Sequence, residues 1–222
     1  MRRLILLLLG VCVPLACHAQ TFVNTASGTA MPLAVPSTGA GNNIYVVVDG
    51  SAAPGGISVG SQAATQVGST FVGPAGGAHI SVWVVASSTS GSTSVSCTGC
   101  PSSVYAAYEY EYAGMNTSSP FDTFASCTST STNCTASYTP GTANEAVLTA
   151  SNCSGNASGV TGTNITWQHV TRPSGEAGAT GTTSSVTTIG AAAAGCNYSG
   201  TVIFGFKAAG AAATPAMPPA VY

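Results

Sequence analysis

The chain has 222 residues, of which only 5% are charged, against roughly 25% in ordinary soluble domains. Two of its four basic residues, Arg2 and Arg3, open the chain, which leaves Arg172 and Lys207 against Asp49, Glu109, Glu111, Asp122, Glu145 and Glu176. Two isolated cations cannot neutralise a phosphate backbone, so nucleic acid is excluded as a partner, and so weak a field neither steers charged substrates nor holds an anionic membrane.

The N-terminus has a charged start, an apolar run from Leu4 to Ala16, and the polar boundary Cys17-His18-Ala19-Gln20. This is the pattern of a signal peptide over residues 1–19 with cleavage after Ala19. The run is shorter than the roughly 20 residues that cross a bilayer, and Gly, Ser and Thr break up everything downstream, so no transmembrane segment is expected. A lipid anchor at Cys17 is the minor alternative, set back by Pro14 where an aliphatic residue is usual.

Strand signals then recur along the chain. Ile44-Tyr45-Val46-Val47-Val48 reads as a buried strand, Ile80 to Val85 as a second, and Thr93, Val95 and Cys97 alternate on one face of a third. From Tyr105 to Tyr112 the alternation sets Tyr108, Tyr110 and Tyr112 on one face and Glu109 and Glu111 on the other. Ala146–Ala150, Asn164–Val170, Ser185–Ile189 and Thr201–Lys207 follow. No window has sustained helical periodicity with caps. Short strands between turn-rich loops predict an all-β, two-sheet antiparallel sandwich over residues 20–208, and the Ala- and Pro-rich segment 209–222 reads as a flexible tail.

A weak internal echo runs through this domain. Pro36, Gly41-Asn42-Asn43-Ile44 and Thr65-Gln66-Val67 are similar to Pro140-Gly141-Thr142-Ala143-Asn144-Glu145 and Trp167-Gln168-His169-Val170, at an offset near 101 to 103. Tyr105–Tyr112 likewise parallels Thr201–Lys207. Two similar halves of about five strands would build one sandwich; the competing reading is chance similarity in a low-complexity chain.

Beyond the signal lie six cysteines, Cys97, Cys100, Cys127, Cys134, Cys153 and Cys196. An even count in an exported chain reads as three disulfides, and the expected pairing is sequential. A redox or zinc role for Cys97 and Cys100 is set aside, because Pro101 and a strand follow and there is no second ligand pair.

The order Val35-Pro36, Gly41-Asn42-Asn43-Ile44-Tyr45-Val46-Val47, Thr65-Gln66-Val67, Ser81-Val82-Trp83-Val84-Val85-Ala86, Tyr110-Glu111-Tyr112-Ala113-Gly114, Pro120-Phe121-Asp122, Ala143-Asn144-Glu145 and Val202–Lys207 resembles a β-sandwich module of lectin-like, jelly-roll type found in bacterial exported and surface proteins. The resemblance spans about Val23 to Ala208. It implies a lectin-like sandwich and carries over no established activity or catalytic residue; the paired cysteines are additional to its pattern.

Few side chains stand out chemically. Glu109 and Glu111 share a strand face, and paired carboxylates about 5 Å apart serve retaining glycosidases, so a glycoside-active enzyme is the enzymatic alternative. The bland reading of hydrogen-bonded or solvent-facing residues is preferred. Trp83, Trp167 and Tyr105 are weak candidates for a platform that stacks on sugar rings, with packing the commoner use of strand aromatics. His79 and His169 lack neighbouring ligands at metal spacing, and Asp49 and Asp122 are isolated, so no metal site is expected and calcium could bind only through backbone carbonyls. A serine nucleophile would need a strained Gly-x-Ser-x-Gly elbow, and in so serine-rich a chain matches to that pattern come cheaply, so this reading is set aside. Sequons at Asn116, Asn133, Asn152, Asn156, Asn164 and Asn197 matter only in a eukaryotic source. The expectation is a non-enzymatic exported module for adhesion, surface structure or carbohydrate binding, with glycans or other surface proteins as partners and no cofactor.

Overall fold

A computed structural model describes residues 20–73, 78–129, 133–153, 157–171, 175–182, 185–192 and 199–210. Within them the strands are β1 (Thr21–Gly28), β2 (Leu33–Ala34), β3 (Asn43–Gly50), β4 (Gly56–Val59), β5 (Gln62–Ala63), β6 (Thr65–Val72), β7 (His79–Val85), β8 (Ser94–Thr98), β9 (Val104–Ala113), β10 (Phe121–Ser129), β11 (Asn133–Tyr138), β12 (Glu145–Cys153), β13 (Ala157–Thr163), β14 (Thr166–Thr171), β15 (Gly175–Thr182), β16 (Val186–Ala192) and β17 (Ser199–Phe206). The described residues contain no helix, and so none long and apolar enough to cross a membrane.

The unbroken apolar run Ile44–Val48 has a structural cause. β3 is buried on both faces, and a strand covered on both sides has no need of polar alternation. Tyr45 and Val47 enter one core, where they meet Tyr108, Tyr110, Tyr112, Leu148, Phe204 and Phe206. Ile44, Val46 and Val48 enter a second core with Leu33, Ile57, Val59, Trp83 and Val95. A third, smaller core holds Ala136, Tyr138, Val147 and Ile203.

Three cores between four sheets give four layers. The first main sheet has the order β1-β9-β3-β7-β6 and the second β10-β17-β12-β15-β14. These two face each other, and each carries a smaller cover sheet outside it, β2-β8-β4-β5 on the first and β11-β16-β13 on the second. The all-β antiparallel sandwich expected from the sequence is formed, and each of its two large sheets has a further sheet on its outer face.

The internal echo is a structural repeat. Taken in chain order, β1, β3, β6, β7 and β9 occupy the same places in the first main sheet as β10, β12, β14, β15 and β17 in the second. The registers align Asn43 opposite Tyr112 with Ala146 opposite Phe206. Tyr45 then corresponds to Leu148, Tyr110 to Phe204, Glu111 to Gly205 and Asp49 to Asn152. Gly41 (φ 78°) and Asn144 (φ 58°) correspond too, and both use the left-handed region to enter the strand that follows.

The halves are related by a pseudo-two-fold axis lying in the seam between the main sheets. At one end of the axis Met115 bridges Ala208, and Ala209 N–H donates to Gly114 at 2.8 Å. Cys97–Cys100 and Cys127–Cys134 form disulfides, as expected. The expected Cys153–Cys196 pair lies outside the described residues because of Cys196, as do the signal peptide and most of the tail.

Candidate functional site

The paired acids come first. β9 lies between β1 and β3, so its alternation sends Tyr108, Tyr110 and Tyr112 into the seam and turns Glu109 and Glu111 toward the first cover sheet. Both glutamates are 0% exposed. Glu111 is tied in completely: Oε1 accepts from Gly39 N–H at 2.7 Å and from Asn42 Nδ2 at 2.5 Å, and Oε2 accepts from Asn24 Nδ2 at 2.5 Å. Three donors converge on this one carboxyl group and fix its position.

Glu109 is the opposite case. Neither of its oxygens has a hydrogen-bond partner among the described residues. Burial, and then the charge of Glu111, push its carboxyl up to about 8, so at neutral pH it is mostly the neutral acid. Both groups sit behind the cover sheet, where no solvent reaches them.

The second half solves the same latch with other residues. Glu145, at the start of β12, accepts from Thr142 N–H at 2.7 Å and from the Thr142 hydroxyl at 3.0 Å, and the Tyr138 hydroxyl donates to its other oxygen. Thr142 corresponds to Gly39, so in each half a buried carboxylate fixes the loop that leads into the central strand. In the first half the acid comes from the β9 position, and in the second that position is Gly205. A Cβ there would run into the Tyr138 hydroxyl and come within 2.8 Å of Glu145 Oε2, so the glycine makes room for the acid to arrive from the other strand. Asp122 lies alongside, with Oδ2 3.3 Å from the Tyr138 hydroxyl oxygen, and pairs with Lys207 at 3.8 Å.

In the seam, His169 of β14 meets β1. Its Nε2 lies 2.7 Å from the Thr25 hydroxyl, and its ring packs on Tyr108 and Tyr110. Burial lowers the pKa of the imidazole and favours its neutral form. Thr25 gives its one hydroxyl proton to the Glu109 carbonyl at 2.5 Å, so Nε2–H is the donor to Thr25. A histidine that donates to a threonine is not its general base, and the pair is a structural tie. The pseudo-equivalent corner is apolar, with Phe121, Phe124 and Phe204 closing on Gly68 (φ 64°). At the axis, Asn152 Nδ2 donates to Asp49 Oδ1 at 3.4 Å, and burial pushes Asp49 up to about 8.

The aromatic candidates lie on three different strands. Trp83 is 6% exposed, packs in the core under the first cover sheet and donates its indole N–H to Ser81 at 3.0 Å. Tyr105 is half-buried on β9. Trp167 lies on β14, and its side chain is outside the described residues. His79 begins β7, half-buried opposite Gly50 and Val72. Among the described residues no three His, Cys, Asp or Glu side chains gather as metal ligands. Sequence reasoning missed the Asp49–Asn152 contact and the Glu145 latch, although the offset of the echo already paired positions 49 and 152.

Compared with protein-family models, with curated proteins and with solved structures, the chain matches none.

Proposed function

We propose that this chain is an exported, non-enzymatic module that works in adhesion, surface structure or carbohydrate binding, with glycans or other surface proteins as its partners. One observation supports this above others: among the described residues the scarce carboxyl groups are spent inside the frame. Asp49, Glu109, Glu111 and Glu145 are all buried, and Asp122 is paired with Lys207. Many exposed strand positions carry short hydroxyl and amide side chains, as at Ser94, Thr98, Thr135 and Asn164. Such a surface meets neutral, hydroxyl-rich partners without a charge to desolvate. The two short-range disulfides suit an oxidising compartment. Each half, with β1-β9-β3-β7 facing β2-β8-β4-β5 and its repeat, is further proposed to be a jelly roll in its own right.

A glycan array together with hydrolysis assays on the native protein, Glu109→Gln and Glu111→Gln tests the reading. Binding without turnover, or retention in surface material without turnover, is the expected result. Hydrolysis of any polysaccharide that disappears in either variant overturns it in favour of a glycoside-active enzyme.

A further inference from the structure

The expected signal boundary makes Gln20 the first residue of the mature chain, and the fold gives that residue a seat. β1 begins at the very next position, with Thr21 paired to Ala113, so Gln20 is held from one side by the first main sheet. Its side chain lies against Gly181 on β15 of the second main sheet, where an added Cβ would collide with the Gln20 amide. The side-chain oxygen of Gln20 is buried and has no hydrogen-bond partner among the described residues.

We infer that Gln20 is a modification site, and that the mature chain begins with a pyroglutamyl ring. The step needs no co-reactant. The α-amine nitrogen attacks the side-chain Cδ, a C–N bond forms to close a five-membered lactam, the bond from Cδ to the amide nitrogen breaks, and ammonia leaves with the transferred proton. An N-terminal amine titrates near 7.7–8.0, so a substantial neutral fraction is available as nucleophile at neutral pH. The amide nitrogen that lies closest to the Gly181 position is the group that leaves. One of only three cations of the mature chain disappears, the others being Arg172 and Lys207, and a neutral end is cheaper to keep half-buried than an ammonium.

The full chain, signal included, is expressed in a secreting host, and the exported protein is examined by intact mass and N-terminal sequencing, alongside Gln20→Ala. The expected mass is that of a chain starting at residue 20, less one ammonia beyond the hydrogens lost to disulfides. Sequencing is blocked until pyroglutamyl aminopeptidase is added, whereas the Gln20→Ala variant reads freely from its first residue. A free amine on an intact Gln20, a start at any other residue including Cys17, or an equal block in Gln20→Ala overturns the inference.

Discussion

Asp49 and Asn152 hold the same position in the two halves of the chain, and they meet across the seam with Asn152 Nδ2 donating to Asp49 Oδ1 at 3.4 Å. A residue on a two-fold axis meets its own counterpart. Exact duplication at this point would oppose two buried carboxyls or two amides, and the acid–amide combination avoids two adjacent negative charges.

Asn152→Asp restores the symmetric acid pair and is expected to destabilise the protein at pH 7 by about 2–4 kcal/mol, because a buried charge is added beside a second acid. Thermal unfolding at pH 7 and pH 5 checks this: the deficit should shrink at pH 5, where the two groups share protons.

Stability should fall as pH rises from about 4.5 to 8. Asp49 and Glu109 are both raised to about 8 in the folded chain, so the native state holds protons that the unfolded chain has already released. Their contribution is full below the unfolded values near 4 and is lost as pH climbs through 8. At about 1.4 kcal/mol per unit for each group and roughly 2–4 °C per kcal/mol, Tm should drop by several degrees per pH unit. The double variant Asp49→Asn, Glu109→Gln should flatten this slope. His169 works the other way in the acid part of this window, since its lowered pKa takes stability away as pH falls below 6.5.

Glu111→Ala leaves Gly39 N–H and the Asn24 and Asn42 amides without their acceptor. The expected cost is about 3 kcal/mol, a Tm loss of roughly 6–12 °C, while Glu111→Gln keeps part of the network and should lose about half as much. Calorimetry on the two variants measures both.

The exchanged latch is open to reconstruction. Gly205→Glu alone should cost about 3 kcal/mol by overpacking against Tyr138 and Glu145. Combining it with Tyr138→Ala and Glu145→Asn clears the space and rebuilds the first-half arrangement, so the triple variant should be more stable than Gly205→Glu alone. A triple variant that unfolds earlier still would contradict the equivalence of Glu111 and Gly205.

Cys127 sits on the second main sheet and Cys134 on its cover sheet. Replacing both by Ala should remove about 2 kcal/mol, lowering Tm by roughly 4–8 °C. Hydrogen exchange should show Cys134–Tyr138 losing protection before β12 and β17.

Much of this arrangement was legible along the chain. The two-residue alternation at Tyr105–Tyr112 assigned the tyrosines and glutamates to opposite faces, because side chains on a strand leave no other choice. The run Ile44–Val48 announced a strand covered on both sides. Segments such as Gly175–Thr182 gave no signal: Gly, Ala and Thr carry little strand preference, and β15 is a strand because β12 and β14 supply its backbone partners.

By itself the sequence determined the strand faces, the low charge and the repeat, since these follow from local periodicity and composition. What lay across those faces was decided only by tertiary structure. Glu109 and Glu111 share a face in the sequence, yet a cover sheet closes over them, three donors hold Glu111 in place and burial keeps Glu109 mostly neutral. Asp49 looked isolated because its partner lies 103 residues away. Two halves had to pack face to face before equivalent positions could touch, and no local pattern records that contact.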